Sequence, residues 1–189
     1  FKAVSEFARS CFVPISVGGG IRKLEDVARY MDAGADKVVI NTGAIENPHL
    51  IEDIAGAYGQ QCVVLSIDAA NADKGYEVMS HYGAKPTGHD PATWAKYGEA
   101  LGAGEILITA IERDGALQGY DLDLCAEVAK AVSVPVQVLG GCGNWQHMTQ
   151  AFDIPGVSAA CTQNIYHFTE QSIASAKKFL SGKGVAVRA

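Results

Sequence analysis

Two aspartates in this chain stand where carboxylates can do acid–base chemistry. Asp68 directly follows the apolar run 62–67, and Asp114 lies in the segment 111–115, after the next apolar run at 106–109. A carboxylate at the end of a buried strand must be solvated, paired or used in chemistry, and two of them on neighbouring strand ends make a plausible general acid and base. A structural role for Asp114 stays open, because an Asp-Gly pair is also a common turn signal.

Two glycine-rich turns predict sites for anions such as phosphate. The glycine triplet 18–20 follows the run 15–17, and the pair Gly140-Gly141 ends the run 136–139. Glycine lets backbone N–H groups approach a phosphate without interference from a Cβ atom. Asn41-Thr42, at the end of a neighbouring strand, would add side-chain donors to the first site. A tight strand-to-helix turn needs glycine whatever it binds, so a purely structural interpretation also stays open.

Short apolar runs alternate with amphipathic stretches of helical length along the chain. We predict buried strands at 15–17, 37–40, 62–67, 106–109, 136–139 and 158–162, and helices at 24–33, 48–58, 91–101, 121–132, 145–152 and 170–180. Asn47-Pro48 and Asp90-Pro91 are typical helix starts, with a polar cap followed by proline. Continuous Val and Ile runs favour strands that are covered on both faces, as in a parallel sheet with helical crossovers. The polar segment 71–88 predicts a loop or small hairpin.

An internal repeat supports the presence of two equivalent anion sites. The segment 13–17 with its glycines is echoed about 121 residues later by 134–139 with its glycine pair. Each copy continues with a helix, a second strand and a polar pair, which is Asn41-Thr42 in the first copy and Gln163-Asn164 in the second. Two copies of one supersecondary unit indicate a duplicated half-barrel.

Composition describes an ordinary soluble globular domain and excludes several classes of function. Of 189 residues, 48% are hydrophobic and 19% are charged, and the formal net charge of −6 provides no electrostatic footprint for nucleic acid. The apolar runs are far shorter than the roughly 20 residues that span a bilayer. Five scattered cysteines without metal-ligand spacing favour reduced cytosolic thiols. We therefore expect a cytoplasmic protein with no membrane or nucleic-acid partner, no metal and no cofactor.

Three charged residues stand at the amino ends of predicted strands, opposite the glycine turns. Asp36 and Lys37 lie where the strand 37–40 begins, and Glu105 precedes the run 106–109. Solvated strand ends would explain such charges. The alternative is a partner surface, or a gate at the bottom of a barrel whose active face is formed by the carboxyl ends of its strands.

Taken together, five segments identify a family: PISVGGGI, GADKVVINTGAIENPHLI, QCVVLSIDA, GAGEILITAIERDGALQGYDL and LGGCGNWQHMTQAF. The chain resembles the cyclase subunit of imidazole glycerol phosphate synthase, a (β/α)8 TIM barrel of histidine biosynthesis, over essentially all of its length. The resemblance implies that residues 1–189 form a single partial barrel domain carrying units three to eight. It also implies a heterodimer with a glutaminase subunit. Ammonia from that subunit would react with a bisphosphorylated, ribonucleotide-derived substrate.

The resemblance assigns expected roles residue by residue. Asp68 matches one of the family's two catalytic aspartates, and Asp114 matches a supporting acid. The substrate-binding and phosphate-binding positions are Gly20, Asn41, Thr42, Thr109, Gly115, Gly141 and Asn164. Asp36, Lys37 and Glu105 match charges at the glutaminase interface and the ammonia entrance.

Departures from the family pattern leave two other functions open. The other catalytic aspartate of the family belongs to the first strand, which would precede Phe1, so this chain alone is not expected to complete the reaction. Leu139, Gln163 and Asn164 replace small or hydroxylated residues of the second phosphate site, and Tyr82 replaces a Ser or Thr near the substrate. These changes resemble the cyclase-like partners of amidotransferases that amidate nucleotide-linked sugars for surface polysaccharides. A noncatalytic scaffold that activates a glutaminase is the third possibility.

Overall fold

A curled parallel sheet organises the structure, a computed structural model that describes residues 1–167 and 172–188. Its strands are β1 (Ser16–Gly18), β2 (Lys37–Ile40), β3 (Val63–Asn71), β4 (Tyr76–Ser80), β5 (Lys85–Pro86), β6 (Glu105–Ala110), β7 (Val136–Leu139) and β8 (Val157–Ala160). Six of them pair in parallel in the order β1-β2-β3-β6-β7-β8. The predicted parallel sheet is confirmed, and the architecture is that of a partial (β/α)8 barrel.

Helices alternate with the parallel strands, beginning with a helix before β1, and cover one face of the sheet. They are α1 (Lys2–Ala8), α2 (Leu24–Asp32), α3 (Thr42–Glu46), α4 (His49–Tyr58), α5 (Pro91–Ala100), α6 (Leu122–Ala131), α7 (Trp145–Phe152), α8 (Asn164–His167) and α9 (Ile173–Gly182). None of the helices in the described ranges is both long enough and apolar enough to cross a membrane. The predicted alternation of strands and helices is therefore observed throughout the described chain.

The strands are two-faced because alternate residues point to opposite sides of the sheet. One set packs against the helices and is at most 2% exposed: Val38, Ile40, Leu65, Ile67, Ile106, Ile108, Val136 and Val138. The intervening residues line open cavities on the other side, among them Val39, Ser66, Asp68, Leu107, Thr109 and Leu139. The hydrophobic core thus lies between sheet and helices, and the inner face carries a mixture of polar and apolar side chains.

The observed start of α5 agrees with the prediction from the sequence, and the observed start of α4 differs from it. Asp90 caps α5 by accepting a hydrogen bond from the Thr93 amide at 2.7 Å, with Pro91 first in the helix. Asn47, predicted to cap the next helix, instead ends α3, and Pro48 takes the capping position of α4. The five-residue α3 is too short to show helical periodicity, so the sequence analysis missed it.

The structure shows a hairpin in the segment predicted as a loop or small hairpin, whereas the start of the last helix differs from the prediction. The segment 71–88 forms the antiparallel strands β4 and β5, which extend from the carboxyl end of β3. The hairpin is held to α6 by a 2.8 Å hydrogen bond from the Tyr76 hydroxyl to Asp121. The predicted start of the helix 170–180 falls outside the described residues, and α9 begins at Ile173, capped by Ser172.

Candidate functional site

The first of three adjoining cavities lies at the carboxyl ends of β1 and β2. It encloses about 380 Å³ and is lined by the glycine triplet 18–20, Asn41, Thr42 and Asp68. Gly19 and Gly20 have φ angles of 112° and 70°, which L side chains rarely adopt. An added Cβ at either position would meet no atom within 4 Å. These two glycines therefore border open space, where a ligand can approach the backbone.

Local packing brings Asn41 and Thr42 beside that turn. A Cβ on Gly43 would lie 2.2 Å from the Ile21 carbonyl oxygen, so only glycine lets the start of α3 approach the loop after β1 this closely. The Thr42 hydroxyl accepts a 3.0 Å hydrogen bond from the His81 amide. Asn41 Oδ1 is buried without a hydrogen-bond partner among the described residues. The predicted polar pair thus lines the first pocket where the start of α3 packs against the loop after β1.

Three charged or titratable side chains at the rim were not predicted as site residues. Arg22 lines the first pocket and forms an ion pair with Glu46, whose other oxygen lies 3.4 Å from His81 Nε2. The guanidinium places a positive charge beside the glycine turn, where it can bind an anion. Arg22 could have been found from its position two residues after the glycines. His81 is far from that turn along the chain, and no sequence signal linked the two.

Asp68 occupies the centre of the cleft, between the two halves of the repeat. It pairs with Thr109 across β3 and β6, and the side chains of Thr109 and Asn41 both hydrogen-bond to its carboxylate. Burial raises the pKa of Asp68 above its usual value, the two hydrogen bonds oppose that shift, and the negative charge of Asp114 adds to it. A carboxyl group with a raised pKa holds its proton closer to neutral pH, as a general acid or base requires.

A central cavity of about 390 Å³ connects Asp68 to the second half of the site. Its lining contains both predicted acids, Asp68 and Asp114, together with Thr109. Ser66 also lines this cavity and the first one, although the sequence analysis did not single it out. Its position two residues before Asp68 on a strand, and so on the same face, was the available signal. The structure therefore brings the two aspartates to one cavity.

The second pocket encloses about 320 Å³ at the carboxyl ends of β7 and β8. Its lining contains the predicted residues Asp114, Gly115, Gly141 and Asn164, and also Leu139, Gln163, Cys142 and Cys161. Burial raises the pKa of the Cys161 thiol to about 11, so this sulfur is protonated at neutral pH and is not an activated nucleophile. The donors that line this pocket are neutral side chains, among them Thr162, Gln163 and Asn164, and backbone groups, in contrast to the guanidinium of the first pocket.

The three charges at the amino ends of the strands do not form one cluster. Lys37 and Glu105 make a half-buried ion pair, and Glu105 also accepts a hydrogen bond from Gln137. Asp36 is exposed and accepts a 2.8 Å hydrogen bond from the Ile15 amide. Lys37, Glu105 and Gln137 therefore form a polar layer across three strands, whereas Asp36 ties together the segments before β1 and β2.

No group of three or more His, Cys, Asp or Glu side chains in the described ranges is arranged to hold a metal ion.

The similarity of this chain to a known protein family extends over most of its length. The family model described as "Histidine biosynthesis protein" matches residues 1–172, which include all three cavities and the polar layer below them.

Proposed function

Because the chain belongs to the histidine biosynthesis protein family, whose members are enzymes of that pathway, we propose that it forms the substrate-binding face of an ammonia-dependent cyclase. The reaction would be of the imidazole glycerol phosphate synthase type, a lyase reaction on a bisphosphorylated, ribonucleotide-derived intermediate. The proposal is carried by one observation. A carboxyl group with a raised pKa, Asp68, lies in a cleft between two glycine-walled pockets.

The cleft fits an elongated molecule with an anion at each end. One phosphate would bind at Gly20, Asn41 and Thr42, with Arg22 supplying a charge-assisted hydrogen bond. The other end would lie in the second pocket, against Gly115, Gly141 and Asn164. With both ends held, the middle of the molecule would lie in the central cavity beside Asp68, Thr109 and Asp114.

Ring closure with ammonia requires proton transfers, which is the role proposed for Asp68. Since its pKa is raised, the carboxyl group gives up and regains a proton at a higher pH than an ordinary aspartate does. Thr109 and Asn41 orient the carboxylate through their hydrogen bonds. Asp114 supports it from across the cavity, where its negative charge favours the protonated form of Asp68.

Ammonia would enter from the opposite end of the strands, supplied by a glutaminase subunit. The layer of Lys37, Glu105 and Gln137 closes that end of the sheet's inner face with half-buried polar groups. An ion pair there can separate and re-form as ammonia passes. Asp36, exposed beside the layer, is available for contact with the partner.

The test uses the full gene product that contains this chain. Ammonia-dependent turnover of the bisphosphorylated intermediate is measured at saturating ammonium for the wild type and for Asp68→Asn. We expect turnover to fall by about 10²- to 10⁴-fold, because loss of a general acid–base group has effects of that size. Asp73→Asn, at an exposed aspartate on the hairpin, is the matched control. Wild-type turnover in Asp68→Asn would refute the proposed role.

A second candidate is favoured by the lining of the second pocket. Leu139, Gln163 and Asn164 all line it, and its described lining contains no Lys or Arg. A site of this kind suits a neutral or sugar-bearing group better than a second phosphate. The candidate is a cyclase-like partner of an amidotransferase that delivers ammonia to a nucleotide-linked sugar. A folded wild-type protein that binds phosphate but does not turn over the histidine intermediate would favour it. Stimulation of a glutaminase without either activity would favour a scaffold.

A further inference from the structure

The turn between β4 and β5 presents an aromatic ring where the first pocket meets the central cavity. Tyr82 lines both cavities, and its side chain is 100% exposed. A single exposed aromatic residue is common on protein surfaces and by itself indicates nothing. Tyr82 differs from such residues in the conformation of its backbone and in how firmly its turn is anchored.

The backbone of this turn is strained at two residues that carry side chains. His81 and Tyr82 have φ angles of 53° and 60°, and Gly83 continues the left-handed stretch at 80°. Hairpin turns of this kind normally use Asn, Asp or Gly, which adopt positive φ with less strain. Strained residues of this sort cluster at sites that bind ligands, because the surrounding structure must hold them in place.

Contacts on both sides fix the turn over the cleft. The His81 amide donates to Thr42 Oγ1 at 3.0 Å, and the two ring nitrogens lie 3.1 Å from Ser80 Oγ and 3.4 Å from Glu46 Oε1. On the other side, a Cβ on Gly83 would lie 3.2 Å from Ile111 Cδ1. These contacts hold the backbone of Tyr82 at the lip of the cleft, while the residue itself stays fully exposed.

We propose that Tyr82 is a substrate-binding residue whose ring stacks on a planar heteroaromatic ring of the substrate in the central cavity. Leu107, Ile111 and Leu139 line the same cavity and offer apolar contacts to the rest of that ring. Stacking needs an accessible aromatic face near the ligand; the anchored turn keeps Tyr82 beside both cavities, and its exposure leaves the ring free to stack. The inference rests on the proposed function, for which it identifies the element that recognises the substrate's ring.

The test compares two phosphorylated probes that differ in the ring. Ribose 5-phosphate carries the sugar and the anion, and aminoimidazole carboxamide ribotide adds a planar heterocycle. Their dissociation constants are measured by titration calorimetry on the full gene product for the wild type, Tyr82→Ala and Tyr82→Phe. Phe12→Ala removes a ring that is 91% exposed and lines none of the cavities described above, so it controls for loss of a surface aromatic residue.

We expect Tyr82→Ala to weaken binding of the ribotide by about 5- to 150-fold, the effect of losing one stacked aromatic side chain. Ribose 5-phosphate should bind this variant as it binds the wild type, and Tyr82→Phe should restore most of the ribotide affinity. Equal losses for both probes would indicate a general disturbance of the pocket and would overturn the proposal. Unchanged ribotide binding would overturn it as well.

Turnover separates this inference from the proposed function. If the ring-specific loss occurs in a protein that does not turn over the histidine intermediate, stacking holds and the cyclase assignment fails. If turnover and its dependence on Asp68 are normal while Tyr82→Ala binds the ribotide like the wild type, stacking is overturned and the cyclase assignment stands.

Discussion

The first and second pockets arise from the same repeated pattern, yet their glycines are required for different reasons. Gly19 and Gly20 adopt positive φ beside open space, whereas an added Cβ on Gly140 would lie 2.7 Å from the Ala110 carbonyl oxygen. One on Gly141 would lie 2.2 Å from the carbonyl oxygen of Gly119. Gly19 and Gly20 therefore leave room for a ligand, whereas Gly140 and Gly141 let neighbouring backbone segments pack together.

The difference shows that a glycine motif is evidence for a ligand only where the space beside it is empty. In the first pocket, that space is accompanied by a guanidinium and a threonine hydroxyl, from Arg22 and Thr42. In the second, the described lining includes a threonine hydroxyl and two side-chain amides but no Lys or Arg, beside Leu139 and two cysteines. The two pockets thus predict different responses to matched substitutions.

The largest contrast is expected in stability, between Gly141→Ala and Gly20→Ala. Left-handed φ at an alanine destabilises a protein by about 1–2 kcal/mol, and both variants carry that strain. Only Gly141→Ala also forces a side chain into backbone, which adds about 1–3 kcal/mol, and it strains the 2.7 Å hydrogen bond from Gly119 N to Gly141 O. We expect Gly141→Ala to lower the free energy of unfolding by about 3 kcal/mol, and Gly20→Ala by about half as much. Urea unfolding with an unchanged m value measures both. Equal losses would contradict the contrast between the pockets.

The sequence predicted the features that depend on neighbours along the chain. The parallel strands, Asp114 in the loop after β6 and the cap at Asp90 follow from local patterns of apolar, polar and turn residues. Asp68 was predicted to follow its strand but lies inside β3, because pairing with β4 extends β3 to Asn71. The meeting of Asp68 with Thr109 could be inferred as well, because adjacent parallel strands end at the same edge of a sheet.

Features that depend on distant contacts could not be predicted in this way. The His81 amide reaches a hydroxyl 39 residues away, and the Arg22–Glu46 pair joins the loop after β1 to the end of α3. The left-handed backbone of Tyr82 lies next to the His81 contact, and tyrosine is not a residue whose type indicates positive φ. The space beside Gly20 and the overlap beside Gly141 likewise come from tertiary packing.

A second contrast is expected in anion binding, and it tests whether charge distinguishes the pockets. Arg22→Gln removes the guanidinium of the first pocket and should weaken binding of inorganic phosphate by about tenfold or more at low salt, the effect of one charged hydrogen bond. Asn164→Ala removes a neutral donor of the second pocket and should change it by less than about fivefold.

Calorimetric titration at two salt concentrations makes this measurement, since the Arg22 effect should shrink as salt screens the exposed charge. Glu46→Gln is the matched control. It removes the carboxylate that competes for Arg22, so phosphate affinity should stay the same or rise. Weaker binding in Glu46→Gln than in Arg22→Gln would show that the ion pair supports the pocket's shape and that the guanidinium does not bind the anion.

The smallest expected effect concerns Asp68, which lies between the pockets and responds to both. Its pKa in the folded protein is raised above 3.8, chiefly by burial. Below that usual value the carboxyl is protonated in the folded and unfolded states alike. As pH rises through the folded-state pKa, the folded protein must ionise a half-buried group, and stability is lost.

The amide introduced by Asp68→Asn cannot ionise, and it can donate a hydrogen bond to the unpartnered Asn41 Oδ1. We therefore expect this variant, although impaired in turnover, to be more stable than the wild type at pH 7. The difference should shrink at about pH 3.5, below the usual pKa of the carboxyl, because the cost of ionising Asp68 in the folded protein is then largely absent. Urea unfolding at both pH values, with Asp73→Asn as the control, measures it. A variant less stable than the wild type at pH 7 would mean that the hydrogen bonds from Thr109 and Asn41 outweigh burial at this carboxylate.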